Sequence, residues 1–183
     1  MPNYRRTFTA GGTFFFTVVS YQRRPIFTSE KARSILHDAW QAVQERLPFT
    51  NVAICLLPNH IHTIWTLPEG DGDTSLRWKE IKRLFTRTYL AEIGPGPARS
   101  ASRLQRGEAT LWQRRFWEHI IYDEIDFNRH MDYVHYNPVK HGFANSPRDW
   151  PWSSFHRYVE VGYYPPDWAS GDQPDIDPSM FGE

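Results

Sequence analysis

Cysteine is nearly absent from this 183-residue chain, and it has no long apolar run. The single cysteine, Cys55, excludes an internal disulfide and any zinc site built from several cysteines, so a metal ion would need histidine, carboxylate or amide ligands. No segment approaches the roughly 20 apolar residues of a membrane span, and the opening residues lack the apolar run of a signal peptide. We therefore expect a cytoplasmic protein with no membrane partner.

Aromatic residues, in contrast, are plentiful at 16% of the chain, and hydrophobic residues make up 40%. This apolar content is too high for a disordered chain. A length of 183 residues fits one domain, since domains usually run about 100–200 residues. We expect residues 1–148 to form that domain. Residues 149–183, an acidic extension rich in proline and aromatic residues, are expected to pack on it.

The net charge is zero, but the charges are unevenly distributed. Residues 75–119 carry ten Lys or Arg and four Asp or Glu, whereas residues 160–183 carry six acidic side chains and no basic one. Aromatic residues interleave with the basic ones, a pattern that can pair with phosphates and stack on bases. A solvated helix face followed by a basic loop explains the same pattern. The charge distribution alone therefore leaves nucleic-acid binding open.

Hydrophobic periodicity predicts seven elements, in the order strand, helix, strand, strand, helix, strand and helix. They cover residues 13–21, 29–47, 49–57, 60–67, 75–93, 111–122 and 125–137. Pro138 and Gly142 are expected to end the last helix, and residues 94–110 to form a mobile loop. The order predicts an α+β fold of ferredoxin-like or RRM-like type, with an antiparallel sheet and helices packed on one face.

The sharpest local feature is the segment Pro58-Asn59-His60-Ile61-His62. Residues two apart on a strand point to the same face, so His60 and His62 bring two imidazoles to one point. This arrangement can form half of a metal site. Two histidines that merely share an exposed face of the hairpin would give the same pattern.

A third ligand is available in the segment 130–142, where Tyr133 and Asn137 lie four residues apart on a predicted helix and so share a face. The amide oxygen of Asn137 would complete a His-His-Asn set suited to Mg²⁺ or Mn²⁺. A phenol one helical turn from a metal-bound phosphodiester is a plausible nucleophile. The sequence therefore predicts Tyr133 as the nucleophile.

Other interpretations of the same helix stay open. Tyr136 competes with Tyr133, but it points away from the face that Tyr133 and Asn137 share. Both tyrosines could pack under the helix while Asn137 caps it before Pro138. His135 and His141 are expected at the helix end, facing solvent or phosphate.

With these motifs the sequence resembles the REP-associated tyrosine transposases, a branch of the HUH single-tyrosine transposases. The resemblance rests on a PNHIH motif followed about seventy residues later by Tyr-x-x-x-Asn-Pro, and it spans the chain from Tyr4 to Trp168. The matching stretches are YRRTFTAGGTFFFTV, LLPNHIHTIWTLPEGDGD, RWKEIKRLFT, WQRRFWEHII, DYVHYNPVKHGF and DWPWSSFHRYVEVGYYPPDWA.

The resemblance implies cleavage of single-stranded DNA beside imperfect palindromic hairpins, which leaves a 5′-phosphotyrosine and a free 3′-OH and can be reversed to rejoin strands. It assigns Tyr133 as the nucleophile and His60, His62 and Asn137 as ligands of a divalent Mg or Mn ion. Asn137 stands where transposases of the shorter insertion-sequence branch have glutamine. The resemblance also implies a monomer.

The resemblance further implies that the basic surface and the N-terminal region bind the hairpin. The DNA-binding candidates are Arg5, Arg6, Arg77, Lys79, Lys82, Arg83, Arg114 and Arg115. The acidic extension resembles segments that cover the active site in relatives, so a regulatory role for it is a hypothesis. Two alternatives remain: a non-catalytic binder of hairpin DNA or RNA with the same fold, and a metal-dependent phosphoesterase that activates water.

Overall fold

Four strands form one antiparallel sheet in the computed structural model, which describes residues 10–171 except 99 and 108, together with Pro174 and Phe181. The strands are β1 (Thr13–Val19), β2 (Thr50–Leu56), β3 (His60–Thr66) and β4 (Trp117–Ile121). Their spatial order is β2-β3-β1-β4. This order, with one long helix in each crossover connection, is the ferredoxin-like arrangement, so the predicted fold class is confirmed.

Five α-helices accompany the sheet within the part of the chain that the structure describes. They are α1 (Glu30–Arg46), α2 (Thr74–Glu92), α3 (Ala101–Gln105), α4 (Glu124–Lys140) and α5 (Phe155–Glu160). Each of the three long helices has an N-cap residue whose side chain accepts a hydrogen bond from a backbone N–H of the first turn. The N-caps are Ser29 for α1, Asp73 for α2 and Asp123 for α4. The short helix α3 lies within residues 94–110, for which the sequence predicts a loop without a helix.

The sheet carries helices on both faces, so the prediction of helices on one face is wrong. Successive side chains of a strand point to opposite faces. Phe14 and Phe16 face a core shared with α1 and α2, whereas Phe15 between them faces a second core formed with α4. The physical reason is that β1 has no polar face, since all three phenylalanines are fully buried.

The last long helix continues through Pro138 to Lys140, three residues beyond its predicted end. Proline removes one N–H donor from the helix, but the His141 amide still donates to the Asn137 carbonyl at 3.0 Å. Gly142, at a φ of 70°, then ends the helix. The predicted strand at 111–122 is also shorter, because β4 begins only at Trp117 and Trp112 makes an isolated bridge to Ser20.

The first part of the acidic extension packs against β2, which is an edge strand of the sheet. The Leu56 amide donates to the Trp152 carbonyl at 2.8 Å, and the Ser154 amide donates to the Ile54 carbonyl at 2.8 Å. These bonds occupy an edge that would otherwise be open to another chain. None of the helices in the described ranges is long and apolar enough to cross a membrane.

Arg77, expected at the DNA-binding surface, is instead buried, with 1% of the residue exposed. Its guanidinium contacts the Asp71 carboxylate at 2.6 Å and donates to the carbonyls of Asp73 at 2.9 Å and Pro48 at 2.8 Å. The hydrogen bonds from Arg77 to the Asp71 carboxylate hold the pKa of Asp71 below its ordinary value. Arg77 therefore joins α2 to the loops around it and offers no donor to a phosphate.

Replacing Arg77 by methionine should lower the free energy of unfolding by about 3 kcal/mol, because buried carbonyls and one carboxylate lose their donors. Chemical denaturation measures the loss. The matched control is Arg87→Met on the same helix, where the exposed side chain should change stability by less than about 0.5 kcal/mol. Equal effects of the two substitutions would contradict a structural role for Arg77.

Candidate active site

His60 and His62 lie on β3 and face the layer that α4 covers. Their ring centroids are 4.8 Å apart, and the two residues are 1% and 0% exposed. In the register of the sheet, His62 pairs with Thr17 of β1 and with Cys55 of β2. The alternation of the strand thus brings the two imidazoles together, inside the protein and not on an exposed hairpin face.

Hydrogen bonds set the tautomer of both rings. The Nδ1 atom of His60 lies 2.5 Å from the Asn59 side-chain oxygen, which can only accept, so Nδ1 carries the proton. The Nδ1 atom of His62 lies 3.0 Å from the Thr17 hydroxyl, whose own hydrogen is donated to the Phe181 carbonyl at 2.9 Å. In both rings Nε2 is therefore the nitrogen whose lone pair suits a metal ion.

Tyr133 and Asn137 share the face of α4 that packs on the sheet, and both are fully buried. The ring centroids of Tyr133 and His62 are 5.1 Å apart. The Asn137 side-chain nitrogen donates to the Tyr133 carbonyl at 3.1 Å, while its oxygen has no hydrogen-bond partner among the described residues. A buried acceptor without a partner costs about 1–3 kcal/mol, and a cation would satisfy it. Two imidazole nitrogens and this oxygen fit a divalent ion.

Lys140 is a member of this cluster that sequence reasoning missed. Its Nζ atom donates to the Tyr133 hydroxyl at 3.1 Å and lies 4.8 Å from the centre of the same ring. Lys140 is seven residues beyond Tyr133, two helical turns along one face. A positive charge at this distance would stabilise negative charge on the phenol oxygen.

Phe181, near the end of the acidic extension, covers Tyr133. The two rings are stacked with centroids 3.7 Å apart and 7° between their planes. Phe181 is itself buried, at 1% exposure. In this arrangement the extension closes one side of the tyrosine, and the Thr17 hydroxyl that supports His62 also holds the Phe181 carbonyl.

The remaining DNA-binding candidates fall outside this cluster. Lys79, Lys82 and Arg83 are on α2, on the opposite side of the sheet from α4. The Lys82 ammonium lies over the rings of Trp112 and Phe116, and Arg83 pairs with Glu80 at 2.8 Å. Arg114 and Arg115 are exposed in the segment before β4. Arg5 and Arg6 lie outside the described residues.

His135, within α4, and His141, directly after its last residue, have different surroundings. His141 lies beside the candidate site, with its ring centroid 5.0 Å from that of His60. His135 is buried, and its Nε2 atom lies 2.8 Å from the Ser154 hydroxyl. Burial lowers the pKa of His135 to about 3. The expectation that His135 faces solvent or phosphate is therefore wrong, because this neutral ring joins α4 to the extension.

A second group with metal-ligand chemistry was not predicted from the sequence. His119, Asp126 and His130 each offer a ligand atom, and these atoms lie within 4.8 Å of one another. Burial opposes the charge of Asp126, but hydrogen bonds from His119 and the Tyr122 amide hold its pKa below the ordinary value. Burial lowers the pKa of His130. The group therefore combines one carboxylate with a neutral imidazole at His130.

Comparison with known proteins gives close relatives along almost the whole chain, although no family model matches it. A putative REP-associated tyrosine transposase of Haemophilus influenzae is 43% identical over 96% of this chain and 97% of its own length. The REP-associated tyrosine transposase of Escherichia coli K12 is 43% identical over 96% of this chain and 95% of its own. A solved structure of such a transposase bound to a REP hairpin has 42% identity and a TM-score of 0.80, covering 100% of this chain and 98% of that one.

Proposed function

The chain belongs to the family of REP-associated tyrosine transposases, and from this premise we propose that it cleaves and rejoins single-stranded DNA beside a hairpin. Tyr133 is the proposed nucleophile. His60, His62 and Asn137 are the proposed ligands of a divalent Mg or Mn ion. The observation that carries the proposal is the approach of the Tyr133 ring to within 5.1 Å of the His62 ring, on the side of β3 where both histidines lie.

In the proposed reaction the phenol oxygen of Tyr133 attacks the phosphorus of a phosphodiester. The bond from phosphorus to the 3′ oxygen of the leaving strand breaks, while the 5′ side becomes linked to the tyrosine. The phenol gives up its proton to solvent, and the leaving 3′ oxygen takes up a proton to become a free hydroxyl. The same steps in reverse join a strand and release the tyrosine.

The residues around Tyr133 have separate tasks in this scheme. Lys140 stabilises the negative charge on the phenol oxygen through the contact at 3.1 Å. Asn59 and Thr17 hold the two imidazoles with Nε2 turned away from their own hydrogen bonds. A divalent ion held by His60, His62 and Asn137 would polarise the phosphate.

Hairpin binding is proposed here because the solved relative is a complex with a REP hairpin. Arg114 and Arg115, exposed before β4, and Lys79, exposed on α2, are the described candidates for phosphate contacts. Lys82 and Arg83 also have partners within the chain, as does Arg114, which donates to the Ser102 hydroxyl at 3.0 Å, so these three would exchange a contact for a phosphate. We also propose a monomer, because the 152–154 segment occupies the edge of β2.

A labelled single-stranded hairpin oligonucleotide, incubated with the protein and Mn²⁺ or Mg²⁺, tests the proposal on a denaturing gel. We expect a covalent protein–DNA adduct that depends on the metal. Binding without an adduct would favour a non-catalytic hairpin binder. Cleaved DNA without an adduct would favour a phosphoesterase that uses water, and either result would overturn the proposal.

Asn59 should determine the affinity of the proposed site for its ion, although it is not itself a proposed ligand. Its side-chain oxygen fixes the proton on Nδ1 of His60, and its nitrogen donates to the Arg23 carbonyl at 3.1 Å. Loss of a residue that orients a metal ligand typically weakens binding about 10- to 100-fold. We expect Asn59→Ala to weaken Mn²⁺ binding by this amount in calorimetry.

The matched control is Asn51→Ala, at the far end of β2, which should leave Mn²⁺ affinity unchanged. Unaltered Mn²⁺ affinity in the Asn59 variant would show that the ring of His60 needs no support from this amide.

A further inference from the structure

We propose that His119, Asp126 and His130 form a second metal site, which binds a divalent transition ion such as Zn²⁺ independently of the proposed catalytic site. Their ligand atoms lie within 4.8 Å of one another. Two imidazoles and one carboxylate, drawn from β4 and from the first two turns of α4, form a donor set that suits Zn²⁺ or Co²⁺ and disfavours Mg²⁺.

The carboxylate of Asp126 is placed between the two rings. One oxygen lies 2.8 Å from Nε2 of His119, and the other lies 3.0 Å from Nδ1 of His130. The first oxygen also accepts from the Tyr122 amide at 3.1 Å. The cap of α4 is Asp123, whose side chain accepts from the Asp126 amide at 2.8 Å. The convergence of two imidazoles on the same carboxylate therefore goes beyond what a helix cap requires.

A common ion requires one of the two rings to turn, because an ion bound by an imidazole lies close to the plane of that ring. The rings of His119 and His130 are nearly parallel, with centroids 4.5 Å apart and 14° between the planes. The His119 side chain is 27% exposed and lies on an edge strand, so it can turn about its Cβ–Cγ bond. His130 is fully buried and fixed in place. Its Nδ1 atom also lies 2.8 Å from the Asp126 backbone carbonyl, which can only accept, so the neutral ring carries its proton on Nδ1. Its Nε2 atom is buried without a hydrogen-bond partner among the described residues and offers the lone pair for an ion.

The second group is separated from the first by Phe15. On one side its ring stacks on His62, with centroids 5.8 Å apart and 9° between the planes. On the other side the same ring lies 4.8 Å from the ring of His130, and Phe15 pairs with His119 in the sheet. An ion at the second group would join β4 to the start of α4, the helix that carries Tyr133.

Co²⁺ titration followed by visible absorption tests the proposal, since Co²⁺ in a site with imidazole ligands absorbs visible light. The protein used is the full chain carrying His60→Ala and His62→Ala, which removes the proposed catalytic ligands. We expect it to bind one equivalent of Co²⁺, to release it to Zn²⁺ but not to Mg²⁺, and to melt at a higher temperature with Zn²⁺ present. Failure of the catalytic proposal would leave this result unchanged.

Adding Asp126→Asn to the same protein should abolish the Co²⁺ signal. If that variant does not fold, as circular dichroism would show, His119→Ala on the edge strand provides the same test with less disturbance of α4. The matched control is His37→Ala, an exposed histidine of α1, which should leave the titration unchanged. No Co²⁺ absorption in the His60/His62 variant, or a signal that survives loss of His119, would overturn the proposal.

Discussion

Tyr133→Phe is expected to abolish the covalent adduct with hairpin DNA while the protein still folds and still binds the hairpin. The substitution removes one oxygen, which is the atom proposed to become bonded to phosphorus. It also removes the hydrogen bond from Lys140, whose loss costs about 1 kcal/mol of stability. The ring remains, so its stacking on Phe181 and its contact with His62 persist. A denaturing gel and a hairpin-binding titration measure the two effects separately.

The control for this experiment is Tyr136→Phe. Tyr136 is the other tyrosine of the same helix and is also buried, at 8% exposure. We expect the Tyr136 variant to form the adduct at the rate of the unmodified protein. An adduct that survives in the Tyr133 variant and disappears in the Tyr136 variant would show that Tyr136 is the nucleophile and that the assignment to Tyr133 is wrong.

The parts of the site that could be predicted from the sequence are those governed by regular periodicity. His60 and His62 are two residues apart on a strand, and Tyr133 and Asn137 are four apart on a helix. Each spacing fixes a shared face without any knowledge of the tertiary structure. The ferredoxin-like class could be predicted in a similar way, because short connections and the order of strands and helices leave few arrangements of a four-stranded sheet.

The parts that could not be predicted depend on contacts across the fold. Lys140 lies beyond Pro138, where the sequence predicts the end of the helix. Because the helix in fact continues to Lys140, this side chain lies on the same face as Tyr133. A count of charges does not distinguish Arg77 from its exposed neighbour Lys79. Arg77 is buried because Asp71, in the loop before α2, and nearby carbonyls bind its guanidinium. His119 and Asp126 come together across the turn from β4 to α4.

The acidic extension shows a similar limit. Its aromatic residues predicted packing on the domain, and within the described ranges Trp150, Phe155 and Tyr164 are buried. No pattern in the extension indicates that the Phe181 ring stacks on the proposed nucleophile, Tyr133. That contact places a segment of high negative charge against the proposed nucleophile. If Tyr133 attacks a DNA phosphate as proposed, we expect the extension and the DNA to compete for the same side of its ring.

Phe181→Ala should accelerate adduct formation, because the ring that covers Tyr133 is removed. A stacked aromatic pair contributes about 0.5–1.5 kcal/mol, so losing it should raise the fraction of molecules with an accessible phenol, and hence the initial rate, by about 2- to 12-fold. The gain requires that the extension leave Tyr133 before DNA enters. Time courses on denaturing gels, at subsaturating hairpin DNA and fixed Mn²⁺, measure the rate.

The matched control is Val161→Ala, which shortens an apolar side chain of the same extension that is 71% exposed and should leave the rate unchanged. Deleting residues 160–183 should have an effect at least as large as Phe181→Ala, since it also removes six acidic side chains that repel the phosphates. Unchanged rates in both Phe181→Ala and the deletion would mean that Tyr133 is reached by DNA from another side, and that the stack on Phe181 only stabilises the fold.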